Sequence, residues 1–271
     1  MPRSYKNPNN TAGWVGQGEP SVKKLNQKML KKGWNALRKG QVMRLVNKGL
    51  AMAVNTYQFT LRRGKKTAEC PCCGWQGPAF LATSPGRRLT LNSACPRCDS
   101  RSRHRGLALL LPGLLGDQPG EFLLFAPEKV ILDVLAKTPV TVSTTDLDRE
   151  DVDLPGEDMQ HLTFPDAAYD ALLANHVLEH IPDDARALRE CFRVLKPGGI
   201  ALFTVAGDFS QQATQSLKAP DWLGHYRTYG LDVLDLFRQA GFDVEAVDMG
   251  ADADPKGGVT RGDMLFVGRK G

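Results

Sequence analysis

Two groups of residues in this chain have types and spacings suited to chemistry. The first is a pair of C-x-x-C steps, Cys70 and Cys73 in CPCCGW and Cys95 and Cys98 in ACPRCD. A tetrahedral zinc ion takes four soft ligands from two such turns, because each turn aims two thiolates at one point while its amides offset their charge. Gly74 and Asp99 stand just after the second cysteine of each turn, where the chain must reverse tightly. The spacing predicts a structural zinc ribbon on Cys70, Cys73, Cys95 and Cys98. Cys72 is expected to point away from it, Cys191 to lie in a core, and His104, within SRSRHRG, to be a solvated basic residue rather than a ligand. The second group is HVLEH, in which His176, Glu179 and His180 have the H-x-x-E-H spacing of an inverted zinc-hydrolase motif. Its setting opposes that chemistry: ALLAN before His176 is strand-like, and Ile181-Pro182 breaks a helix through the motif's last turn. His176 and His180 are therefore expected in a loop at the carboxyl edge of a sheet, where a ligand would lie.

The elements that must position these residues alternate from residue 120 onward. EFLLF, VTVST, YDALLAN, IALFTV, FDVEAVDMG and DMLFVGRK read as strands, and KVILDVLAK, ARALRECFRVL and LDVLDLFRQAG as helices. Such alternation predicts an α/β fold with a mostly parallel sheet, helices on both faces, and ligands beyond the carboxyl ends of the strands. The helix after HVLEH should begin at Asp183 or Asp184, capped by a carboxylate, and be stopped by Gly198-Gly199.

At 271 residues and 42% hydrophobic content, the chain suits one ordinary domain plus an appendage. It has no apolar run of about eighteen residues, and MPRSYKNPNN lacks the apolar core of a secretion signal. With six cysteines, four of them in close pairs, a cytoplasmic, soluble protein is expected, with no transmembrane segment. Charge is modular: residues 22–66 hold thirteen Lys or Arg and no acid, whereas residues 67–271 hold twenty basic and twenty-nine acidic residues. The expected organisation is a flexible lead-in over 1–21, basic amphipathic helices over 22–66 interrupted near Gly40, a zinc ribbon with a connecting helix over 67–119, and an α/β domain over 120–271.

The stretch DALLANHVLEHIPDDARALRECFRVLKPGGIALFTV resembles the class I S-adenosylmethionine-dependent methyltransferases, specifically the group with a VLEH-type loop before a helix ending in RVLKPGG. The resemblance implies a Rossmann-like sheet of seven strands, the last antiparallel, over roughly residues 120–271. It also implies S-adenosylmethionine as methyl donor. One departure stands out: the glycine-rich turn usual after the first strand is replaced by Phe125, Ala126, Pro127 and Glu128. A subgroup with a zinc ribbon ahead of the methyltransferase domain has a similar turn. Pro127 could open the following helix, and Glu128 could attract the donor's positive charge. The resemblance further implies that Asp146 takes the ribose hydroxyls, and that Asp158 with Met159 holds the adenine. Phe125, Leu147, Asn175 and His176 would complete the pocket.

Methyl transfer needs alignment and exclusion of water, and a base only when the acceptor carries a proton. His176 and His225 are the candidate bases, and Arg227, in the loop over residues 207–230, could hold an anionic acceptor. The acceptor class (small molecule, RNA or protein) is open. The basic segment 22–66 and the arginines of CPRCDSRSRHRG suit RNA or another anionic surface. The alternative is a catalytically silent RNA- or partner-binding module whose altered FAPE turn has lost the donor.

Overall fold

The structure is a computed structural model that describes residues 42–84 and 88–271. The expected lead-in over 1–21, and the basic segment 22–66 as far as residue 41, lie outside the described residues. The remainder forms two compact units. One comprises Leu110–Ala251 and Arg261–Gly271, and the other the described residues up to Leu109 together with Asp252–Thr260. The boundary expected at 119/120 thus differs from this division in two ways. One helix runs across the division, and a loop between the last two strands groups with the cysteines.

The cysteine unit begins with α1 (Val42–Leu61), followed by the short antiparallel pair β1 (Ala68–Glu69) and β2 (Gln76–Gly77). A second pair follows, β3 (Leu81–Thr83) and β4 (Thr90–Ala94), and then α2 (Ser102–Leu115) leads out of the unit. The side-chain amide of Asn55, buried on α1, donates to the Ala82 carbonyl and accepts from the Ala82 N–H at 3.0 and 2.8 Å. It extends β3 as a strand edge would, so neither backbone group is left unpaired. Trp75 packs between Phe59 and Phe80 with ring centroids 6.3 and 5.9 Å away.

The larger unit carries β5 (Glu121–Phe125), α3 (Lys129–Leu135), β6 (Thr141–Asp146), β7 (Leu154–Pro155) and β8 (Tyr169–Asn175). A 3-10 turn at Leu178–His180 precedes α4 (Asp184–Val194) and β9 (Leu195–Thr204). The small antiparallel pair β10 (Gln215–Ser216) and β11 (Arg227–Thr228) is followed by α5 (Val233–Gln239), β12 (Asp243–Asp248) and β13 (Met264–Arg269). Seven strands form one mixed sheet in the order β12-β13-β9-β8-β5-β6-β7. The five from β9 to β7 are parallel, and only β13 runs against its neighbours, as expected for the final strand. The core lies on the apolar faces of β8, β9 and α4, and extends to Phe203, Phe237 and Phe266, whose rings meet at 5.0 and 5.9 Å.

Local chemistry explains the ends of α4. Asp183 is its N-cap, accepting from the Arg186 N–H at 2.9 Å. The glycine pair does not stop the helix, contrary to expectation. The helix ends at Val194, Leu195 is already extended, and Gly198-Gly199 lies inside β9. Pairing jumps from Tyr169–Leu195 to Ala171–Ile200, so the intervening residues bulge out of the ladder. A Cβ on Gly199 would lie 2.8 Å from the Lys196 carbonyl oxygen and 2.9 Å from that of Asp170, and only glycine fits.

Candidate functional site

The cysteine turns are nearly identical. The Gly74 N–H donates to the Cys70 carbonyl and the Asp99 N–H to the Cys95 carbonyl, with Gly74 at φ 66° and Asp99 at φ 58°, the reversals anticipated at these positions. Together they bring the sulfurs of Cys70, Cys73, Cys95 and Cys98 within 4.8 Å of one another. Cys70 and Cys98 are 3.7 Å apart, as are Cys73 and Cys95. A tetrahedron with metal–sulfur bonds of about 2.3 Å has edges of about 3.8 Å, so the donor set fits such an ion without rearrangement. Packed this closely, four thiolates repel one another, and they ionise together only around a cation. Cys72 is not one of the four: it donates to the His104 carbonyl at 3.4 Å, although its thiol also lies near the sulfurs of Cys70 and Cys98, and Cys191 is buried in the core of the larger unit.

The arginine-rich stretch after the second turn is not a solvated patch. His104 is buried and accepts the Arg101 N–H on Nδ1 at 3.2 Å. Arg105 is fully buried, its guanidinium 4.0 Å from the Phe80 ring and donating to the carbonyls of Ser100 at 2.7 Å, Asn92 at 2.9 Å and Gly258 at 2.7 Å. Desolvation lowers its pKa, yet the nearby carbonyls replace water around the guanidinium. These charges serve the cysteine unit's interior, which removes Arg105 from any surface for phosphates.

At the sheet's carboxyl edge, β5, β6, β8 and β9 end in register: Phe125 pairs with Thr145 and Ala174, and Asn175 with Thr204. The residues just past β5 and β8, Ala126 at φ 46° and His176 at φ 55°, are left-handed. For a residue with a Cβ this costs about 1–2 kcal/mol. Ala126 therefore adopts the backbone shape that a glycine supplies more cheaply, and the turn stays tight without one. Pro127 is buried one position before Glu128, which is the N-cap of α3, so it does not open the helix as expected. The Glu128 carboxylate accepts a very short hydrogen bond from the Asn175 side-chain amide, and Asn175 Oδ1 accepts from Thr204 Oγ1 at 2.5 Å.

Asp146 Oδ1 accepts from the amides of Asp148 and Arg149 at 2.9 and 3.1 Å, which fixes the carboxylate. Arg149 reaches back to the Pro127 carbonyl at 2.8 Å and ties this turn to the one after β5, a link with no signal in the sequence. The Asp158 carboxylate accepts from the Gln160 N–H at 2.9 Å, and the Gln160 side chain in turn accepts from the Asp183 N–H at 3.1 Å. Met159 and Phe125 belong to the core, whereas Leu147 is 58% exposed.

HVLEH is not a metal-bearing α-helix, because His176 is left-handed and only Leu178–His180 forms a 3-10 turn. His176 Nδ1 lies 2.8 Å from Glu179 Oε1, which also accepts the Ala206 N–H at 3.1 Å. Burial disfavours the Glu179 carboxylate, but the His176 hydrogen bond and charge outweigh it and hold its pKa below the ordinary value. The loop over 207–230 brings His225 to the same place, with its ring 4.7 Å from that of His180. Arg227 does not face an acceptor. It is buried, donates to the carbonyls of Ile181 and Pro182 at 2.7 Å each, and pairs with Asp184 at 3.0 Å. Tyr229 donates to Asp184 at 2.8 Å, so these two residues pin the loop.

Residues 130–203 match the family described as a methyltransferase domain. A Mycolicibacterium smegmatis protein described as a probable S-adenosylmethionine-dependent methyltransferase is 34% identical over 97 residues, 35% of this chain and 36% of that protein. A Listeria monocytogenes demethylmenaquinone methyltransferase is 40% identical over 55 residues, 20% of this chain and 23% of that enzyme. The chain thus spans well under half the length of these curated relatives. Among solved structures, the Burkholderia thailandensis 1,6-didemethyltoxoflavin-N1-methyltransferase with bound 1,6-didemethyltoxoflavin and S-adenosylhomocysteine is similar at 19% identity and a TM-score of 0.47, over 62% of this chain and 78% of that one. The domain match and the two curated relatives support a class I methyltransferase domain in the larger unit. Among the described residues, no helix is long and apolar enough to cross a membrane.

Proposed function

We propose that the chain transfers a methyl group from S-adenosylmethionine to an acceptor, with the donor at the carboxyl edge of the sheet and zinc as a structural ion on Cys70, Cys73, Cys95 and Cys98. One observation carries this reading: the segment that matches the methyltransferase domain, residues 130–203, is the one that delivers Asp146, Asp158, Asn175 and His176 to the sheet's rim. When bound, the donor supplies a methyl on a positively charged sulfur, so the chain's task is binding, orientation and exclusion of water. Glu128, held by Asn175, offers negative charge to the donor's amino-acid part. Asp146, oriented by its own turn amides, offers Oδ2 to the ribose hydroxyls, and Asp158 faces the adenine amine. Phe125 and Met159 support these turns from the core, and exposed Leu147 supplies an apolar wall. His176, backed by Glu179, or His225 removes a proton where the acceptor carries one.

Calorimetry with S-adenosylmethionine and S-adenosylhomocysteine tests the donor site. Both should bind once per chain, and Asp146→Ala should weaken both by about 1.5–3 kcal/mol; binding of neither overturns the reading. Labelled methyl transfer into extract sorted into RNA, protein and small molecules then identifies the acceptor.

A second reading, a silent module that binds RNA or another anionic partner through residues 22–66, draws support from one feature. The carboxylates of Glu128, Asp146 and Asp158 already accept from the chain's own donors. Donor-independent RNA binding with no methyl transfer to any fraction would favour it.

A further inference from the structure

Glu179 has zero exposure, and its Oε2 is buried with no hydrogen-bond partner among the described residues, while Oε1 has two. A buried carboxylate oxygen without a donor costs more than almost any other unsatisfied group, so such an atom signals a missing positive partner. Two imidazoles stand beside the Glu179 carboxylate. Ligand atoms of Glu179, His180 and His225 lie within 4.8 Å of one another, contributed by the turn after β8 and the loop before β11.

The surrounding chain holds this arrangement in place. The Tyr226 N–H donates to the Glu179 carbonyl at 2.8 Å, docking the loop on the turn. Asp221 shapes the loop by accepting from the amides of Leu223 at 2.7 Å and His225 at 3.0 Å. Gly224, at φ 86°, approaches His180 so closely that a Cβ there would lie 3.3 Å from Nδ1. His180 Nδ1 is 3.2 Å from the Gly224 carbonyl oxygen, an acceptor that fixes the proton on Nδ1 and leaves Nε2 with the lone pair.

We propose that Glu179, His180 and His225 form a divalent transition-metal site at the rim of the sheet, independent of the cysteine centre. Two imidazoles and a carboxylate suit zinc, cobalt or iron rather than magnesium or calcium. With metal–ligand bonds of about 2.0–2.1 Å the ligand atoms would be about 3.4 Å apart. Small adjustments of the exposed His180 and half-buried His225 side chains would bring the ligand atoms to that spacing, with buried Glu179 unmoved. His176 supports the site through its bond to Glu179 rather than binding metal, which distinguishes this site from an H-x-x-E-H helix. Three protein ligands leave a position open for an oxygen of the acceptor. That use rests on the methyl-transfer reading, with His176 and not His225 then the base, but metal binding does not.

The test uses the full chain with its cysteine centre loaded with one equivalent of zinc. Titration with cobalt(II) chloride is followed by visible absorption and calorimetry. One further equivalent should bind without the intense near-ultraviolet sulfur-to-cobalt band that exchange at the cysteines would give. His180→Ala, which leaves the core untouched, and His225→Ala should each weaken cobalt binding by about a hundredfold or more, and His176→Ala by about tenfold. Absence of a further equivalent, or equal affinity in wild type, H180A and H225A, overturns the site. Binding of S-adenosylhomocysteine without added cobalt separates that failure from failure of the methyl-transfer reading.

Discussion

The cysteine centre and the sheet rim are both made of tight turns carrying polar side chains, and both join residues more than twenty apart, yet they are held in different ways. Each cysteine turn closes on itself, with Gly74 bonded to Cys70 and Asp99 to Cys95, and only two such turns need meet. At the rim, Asn175 holds Glu128 from 47 residues away, Arg149 reaches Pro127 across 22, and Ala206 meets Glu179 across 27. A site of the first kind depends on the two turns and on the ion proposed to join them. The second kind depends on the register of a whole sheet.

The largest expected effect breaks the first region while sparing the second. Cys73→Ser should remove metal-coupled folding energy on the order of 10 kcal/mol. Amides of β1, β2 and the second cysteine turn should then lose hydrogen-exchange protection while those of β8 and β9 keep it. Simultaneous loss in both regions would show that the division is wrong. Next in size, Arg227→Ala leaves partly buried Asp184 with Tyr229 but without its guanidinium and strips the Ile181 and Pro182 carbonyls of donors. Urea unfolding of the larger unit should shift by about 3–5 kcal/mol, with the metal content of the cysteine centre unchanged.

Gly199→Ala probes the bulge that sets the start of β9, and crowding against two carbonyls should cost about 1–3 kcal/mol in the same assay. The smallest effect concerns Asp170, which accepts from Lys196 at 2.7 Å and from the Glu121 N–H at 2.8 Å. Burial opposes its ionisation, but Lys196 and that amide prevail and hold its pKa below the ordinary value. Its contribution is therefore present above the unfolded value of about 4 and is lost as pH falls through the lower folded value. The pair is partly exposed, so the difference between wild type and Asp170→Asn at pH 6 should be about 1 kcal/mol or less and should vanish near pH 2.

Strand content was legible because the apolar runs are short and bounded: EFLLF and YDALLAN coincide with β5 and β8 residue for residue. The KPGG segment misled because a glycine pair after a helix resembles a stop signal. The need for glycine at Gly199 comes from two carbonyls, that of Lys196 within the bulge and that of Asp170 on the neighbouring strand. Arg105 and His104 read as solvated charge, since nothing in SRSRHRG reveals that Phe80, Asn92 and Gly258 close around Arg105 or that Cys72 and the Arg101 amide meet His104. Likewise HVLEH raised metal chemistry for its two histidines, whereas the structure pairs one of them with His225, 45 residues further on, and turns the other into support for Glu179.

From the sequence by itself came the four clustered cysteines, the α/β order of the larger unit and Asp146 at a strand end, because each depends on spacing within a turn or the period of one strand. Only the tertiary structure decided which acids are already bonded, that Ala126 takes a glycine's conformation, and that Glu179 keeps an oxygen buried and without a partner among the described residues. Those properties depend on which distant backbone arrives beside a side chain, and burial then sets what an unmet hydrogen bond costs.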